Sequence, residues 1–207
     1  MDKILIGFLG ALIALFLSAL FSRFTNALKL NRIRVAIIHY LQTIGQPKLE
    51  RYIQDCLQAI GHSKLVHLTI QDRKDGYDDM PMLTSDIFKS FPHTELLIVM
   101  SKPSSYTELL SLIYCIEFLK KNMPVSLYNH FADRTNKHLE EKGLKAGDEQ
   151  FKHIETCGSI DEYRRESIHD LNLKIKTANN AIETLKVITN ALQGRKLFWI
   201  WRYFWTY

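Results

Sequence analysis

Hydrophobic and polar positions divide the chain into three stretches. Residues 4–21, ILIGFLGALIALFLSALF, form an apolar run without a charge. As a helix the run is about 27 Å long, close to the roughly 30 Å hydrocarbon core of a bilayer. It lacks the polar face that a helix on a soluble domain needs. The pattern predicts a membrane anchor over 1–22, followed by a basic juxtamembrane linker over 23–33. Gly7, Ala11, Ala14 and Ser18 line one face of the anchor, where small side chains let two backbones approach.

From 34 to 158 short β-branched apolar runs alternate with amphipathic stretches. Residues 34–40, 64–70, 95–100 and 125–128 read as buried strands, and 150–156 as a peripheral fifth. The helices between them run through Leu49, Ile53, Leu57 and Ile60; through Phe88, capped at Thr84 and Ser85; through Leu109, Leu112, Ile116 and Leu119; and over 135–142, closed by Gly143. Residues 43–47 read as a turn, 71–82 as a polar loop, and Asn122-Met123-Pro124 as a break. Strand–helix alternation of this kind predicts an α/β domain, a flavodoxin-like doubly wound parallel sheet.

Ser159 caps a long helix over 159–193. Ile168, Leu171, Ile175, Ala178, Ile182, Leu185 and Leu192 keep a three-four alternation along it. That seam predicts a coiled-coil or bundle surface for a homo-oligomer or a soluble partner. Gly194 stops the helix. The tail, 194–207, holds all three tryptophans of the protein among Arg and Lys, and Trp199, Trp201, Tyr203 and Trp205 suit a membrane interface.

Charge and cysteine usage orient this plan. A cleaved secretory signal is the competing reading of the first segment, but the run exceeds the usual apolar core of a signal. The flank after it carries Arg23, Lys29, Arg32 and Arg34 before any acid. Positive flanks stay on the cytoplasmic side, so the expected location is the inner (cytoplasmic) membrane, single-pass, with the C-terminal domain in the cytoplasm. Cys56, Cys115 and Cys157 are odd in number and lack CxxC spacing, which suits reduced thiols. The net charge of +5 and pI near 9.0 come from basic residues mixed with acids, densest beside the anchor, where anionic head groups would meet them. No specific nucleic-acid binding is expected.

Strong catalytic motifs are absent: no P-loop, GxGxxG, HExxH or GxSxG. In a doubly wound sheet ligands bind beyond the carboxyl ends of the strands. That rule singles out His39 and Tyr40, Ser101 and Ser105, and Asn129 and His130. The eight histidines form no cluster with metal-ligand spacing.

The stretch from Glu95 to Tyr128, with Ser105-Tyr-Thr-Glu108-Leu109 and then Met123-Pro124-Val125, resembles TIR domains and the nucleoside deoxyribosyltransferase-like proteins. The resemblance implies a flavodoxin-like sheet and a glutamate acting on the glycosidic bond of NAD, a nucleotide or a nucleoside. Glu108 takes that catalytic place by the TIR pattern; the deoxyribosyltransferase pattern puts it near Tyr114, where no carboxylate stands, with Glu117 three residues on. The resemblance implies a membrane-anchored, self-associating signalling or effector protein whose TIR-like domain senses a nucleotide or partner, in the manner of bacterial anti-phage or toxin–antitoxin effectors. The alternatives are an N-glycosidase using Glu108 and a membrane scaffold that holds soluble partners.

Overall fold

The computed structural model describes residues 2–63, 84–143 and 158–206. Among the described residues every regular element is helical and there is no strand. In chain order these are α1 (Asp2–Tyr40), a π-helical segment (Leu41–Gly45), α2 (Gln46–Ser63), α3 (Asp86–Lys89), α4 (His93–Met100), α5 (Pro103–Lys121), α6 (Pro124–Glu141), α7 (Gly158–Leu192) and α8 (Lys196–Thr206). The flavodoxin-like sheet, and the TIR-like reading that depended on it, are therefore overturned. Residues 34–40, 95–100 and 125–128, expected as strands, lie in α1, α4 and α6. The expected strands 64–70 and 150–156, and the loop 71–82, fall outside the described residues.

Each misread run has a helical cause. Around 34–40, Ala27, Leu30, Arg34, Ile37 and Leu41 are buried along one line, with Asn31, Ile33 and Tyr40 buried beside it, whereas Val35 is 48% exposed. Spacings of three and four mark one helix face, whereas a strand would alternate. In α4, Pro92 precedes the first turn and Glu95 sits within it, where the helix dipole favours an acid. Ser101, at φ 59°, ends α4 in the left-handed conformation. Pro124, expected as a break before a strand, instead opens α6, as Pro103 opens α5; a proline's missing N–H costs nothing in a first helical turn.

α1, the π segment and α2 form one rod of 39, 5 and 18 residues, about 90 Å long at helical rise. Residues 23–33, expected as a linker, are part of it. The N-terminal stretch makes this the one described helix long and apolar enough to cross a membrane, and none of its most apolar window is buried. Where the rod passes α7 the two helices approach closely at Gly45: a Cβ there would stand 3.2 Å from Leu185 Cδ1, tight enough that the leucine would have to shift.

α7 is the axis of the bundle. It packs most extensively on α2, then on α5 and α6. Leu171, Ala178, Ile182, Leu185 and Leu192 are buried, and Ile175 is half-buried against the same core. They meet Leu49, Tyr52, Cys56 and Ala59 of α2 and Leu109, Leu112, Ile116 and Leu119 of α5 within that core. The heptad-like stripe thus packs inside its own chain.

Thr189 is also buried in α7, and its hydroxyl has no hydrogen-bond partner among the described residues. Thr189→Val removes that orphan at nearly constant volume. We expect it to stabilise the bundle by about 1 kcal/mol, raising Tm by about 2–4 °C in a chain of this size. Thermal unfolding of the full-length protein in detergent checks this.

Candidate functional site

The junction of α1, α7 and α8 is built around a buried arginine. Arg34 is 4% exposed. Its Nη1 donates to the carbonyl of Leu192, the last residue of α7, at 2.6 Å. Its Nε and Nη2 donate to Asn31 Oδ1 at 3.2 and 3.0 Å, and the guanidinium lies 5.1 Å from the centre of the Trp199 ring. The cation thus sits at the negative end of the α7 dipole. Burial lowers its pKa, but an arginine stays charged at any ordinary pH.

The chain turns from α7 into α8 at Gly194, whose φ of 143° suits glycine. A Cβ there would stand 2.9 Å from Trp199 Nε1. α8 then returns along α1 toward the apolar stretch: Leu192, just before it, meets Arg34, and Phe204, near its end, lines a slot with Phe24. One face of α8 buries Trp199, Ile200 and Tyr203, and the Tyr203 hydroxyl donates to Val99 O at 3.4 Å. The other face presents Leu197, Trp201 and Trp205, spaced by four, at 71, 60 and 71% exposure, with Phe198 beside them. Of the four residues expected at a membrane interface, Trp201 and Trp205 are exposed, whereas Trp199 and Tyr203 belong to the core.

Two concavities lie where α8 meets α1. The apolar slot, about 190 Å³, is lined by Phe24, Leu197, Ile200, Trp201 and Phe204. A wider cleft of about 710 Å³ has an apolar wall that includes Leu28, Val35, Ile44 and Ile87, with Arg32, His39 and Lys196 as its basic members.

The residues expected to bind a ligand do not converge on one place. His39, exposed, and Tyr40, buried, both line the wider cleft. The Tyr40 hydroxyl donates to Thr84 O, and its ring meets Phe88 edge-on at 5.5 Å. Ser101 closes α4; Ser105, buried, and Glu108, half-buried, ride on α5; Asn129, half-buried, and His130, exposed, ride on α6. None of these five lines the cleft or the slot. Arg32, Arg34 and Lys196 went unnoticed as site residues. The spacing of Phe24, Leu28, Arg32, Val35 and His39 by four, four, three and four could have drawn attention to Arg32.

Glu117, not Glu108, is the glutamate of α5 with a built surrounding. It accepts hydrogen bonds from Ser85 Oγ and, at 2.8 Å, from Lys89 Nζ. Those bonds hold its carboxyl down to about 2. Because the folded-state value lies below the unfolded one near 4.5, the carboxylate stabilises the fold above that pH and loses its contribution as pH falls toward 2. Glu117→Gln should therefore flatten the acid limb of stability between pH 4.5 and 2. Denaturant midpoints at pH 5 and 3 check it; an unchanged difference between the two pH values would contradict the role. Cys56 is a buried thiol pushed up to about 12 by burial, and Cys115 is half-buried and shifted the same way; both are therefore poor nucleophiles. Cys157 lies outside the described residues. No group of three or more His, Cys, Asp or Glu among the described residues could hold a metal ion.

Among the described residues, the fold and junction are those of a helical bundle built onto one long helix with an apolar N-terminal stretch. Compared with family models, curated proteins and solved structures, the chain matches none.

Proposed function

We propose that the protein is a membrane-anchored signalling or effector protein that acts by holding its helical bundle against the membrane face. Residues 4–21 span the bilayer, and α8, antiparallel to α1, brings its Trp205 end to the interface beside the exit of the span. The observation that carries this reading is the outward stripe of Leu197, Trp201 and Trp205 on a helix returning toward the apolar end of α1. Amphipathic aromatic helices bind at the boundary between head groups and acyl chains. The basic flank that follows the span supports a bundle in the cytoplasm at the inner membrane. Lys29 also pairs with Glu95 at 2.6 Å, and Arg34 is drawn into the core, which leaves Arg23 and Arg32 exposed toward head groups.

Tryptophan fluorescence tests the reading, because every tryptophan of the protein lies in α8. In vesicles whose lipids carry bromine near the head group, the emission should be strongly quenched. Trp201→Phe with Trp205→Phe should remove most of that quenching, leaving the shielded Trp199. Emission untouched by shallow bromines would overturn the interfacial placement.

A further inference from the structure

We infer that the α1–α8 junction is a binding site for one anionic phospholipid, its phosphate held by Arg32 and Lys196 and one acyl chain seated in the slot beside Phe24. This deepens the membrane-anchored reading and rests on it.

Three observations converge. First, the slot and the cleft open along one stripe of α1. Phe24 lines the slot, whereas Leu28, Arg32, Val35 and His39 line the cleft. These five residues follow one another at spacings of four, four, three and four, which places them on a single helix face. On α8 the neighbours Lys196 and Leu197 divide in the same way, the cation to the cleft and the leucine to the slot. Second, the order along α1 matches a lipid drawn partly out of a leaflet, because Arg32 stands about 16 Å beyond the end of the apolar run, past a head-group layer of about 5–7 Å. The apolar slot begins three residues beyond the apolar run, and Arg32 follows two helical turns later, about 12 Å further from the membrane core. An acyl chain entering from the leaflet meets Ile200, Trp201 and Phe204 first, and its phosphate arrives at the cations. Third, the charge is uncommitted. Arg32 and Lys196 are exposed, and among the described residues neither has a hydrogen bond or an ion pair and no acid lines either concavity. Basic pockets beside membrane helices hold anionic head groups in this way. The cleft, at about 710 Å³, has room for a head group beyond the phosphate.

The test uses full-length protein purified in neutral detergent, titrated with phosphatidylglycerol or phosphatidylcholine and read by native mass spectrometry. The expected result is a one-to-one phosphatidylglycerol adduct that phosphatidylcholine does not match. Arg32→Gln with Lys196→Gln should weaken it about thirtyfold, at roughly one interfacial charge contact each. Val35→Trp keeps both charges and fills the cleft from an exposed position, and should weaken the adduct as well. Equal adducts with both lipids, or an adduct indifferent to the charge and filling variants, would overturn the site. Displacement by millimolar inorganic phosphate would also overturn it, since the pocket would then hold a free anion and not a lipid. Carbonate extraction of the same protein from membranes separates the two levels of the reading. Protein that resists extraction but shows no lipid preference refutes the lipid site alone; protein that is extracted refutes the anchor together with the lipid site that rests on it.

Discussion

Arg34→Ala is expected to detach α8 from the bundle. The guanidinium is the shared partner of the Leu192 carbonyl, the Asn31 side-chain oxygen and the Trp199 ring. Truncation leaves two acceptors without their donor and opens a void at a position only 4% exposed. An unsatisfied buried acceptor costs about 1–3 kcal/mol, and the lost packing adds to it, so a total of about 3–4 kcal/mol is expected. Arg34→Met separates the causes. It refills most of the space but leaves the same two acceptors without a donor, so its loss should be smaller only by the packing part. Because all three tryptophans sit on α8, detachment is visible directly: Trp199 emission should shift to the red in Arg34→Ala. A variant with wild-type emission and an unchanged denaturation midpoint would show that the arginine is incidental to docking.

Leu185→Ala should destabilise the bundle without changing its association state. Leu185 is 1% exposed at the axis of α7, and its Cδ1 lies closest to the point where a Gly45 side chain would begin. A buried leucine cut to alanine costs about 2–5 kcal/mol. The upper half of that range is expected, because the rod and α7 meet here on glycine and have no spare side chain to fill the hole. Denaturant unfolding in detergent measures the loss, and light scattering on the folded fraction reads particle mass. A particle that becomes smaller while keeping wild-type stability would reinstate the stripe as a surface between chains.

How far the fold could be read from the sequence depended on whether a stretch carried one period or two. The apolar run over 4–21 is long and carries a single message, and the structure shows a helix long and apolar enough to span a membrane. The spacing of Leu49, Ile53, Leu57 and Ile60 placed α2, and that of Leu109, Leu112, Ile116 and Leu119 placed α5. The stops at Gly143 and Gly194 both coincide with positive φ. Six- or seven-residue apolar runs carried no such message. Val35, Ile37 and Ile38 look like a strand in isolation, and only the continuation back to Ala27 and Leu30 shows a helix face. Residues 95–100 are apolar on nearly every side, so no period distinguishes a buried short helix from a central strand. Reading these two runs and 125–128 as strands directs the site rule for parallel sheets to Ser101, Ser105, Asn129 and His130, which the bundle leaves scattered. Periodicity found the α7 stripe but could not say that α2, α5 and α6 of the same chain would cover it, because an intramolecular partner and a second copy require the same residues.

In the membrane-anchored reading proposed above, the helix that continues from Asp2 through the π segment to Ser63 carries the bundle as an arm. With residues 4–21 in the hydrocarbon core, about 60 Å of the same helix projects beyond it. Spanning helices tilt by about 20° on average, by an amount that packing and interfacial anchors set. A stiff projection converts that angle into a sideways sweep of roughly 20 Å at its far end. In that reading a small change of tilt at the bilayer is magnified along the arm into a displacement at the tip of α2.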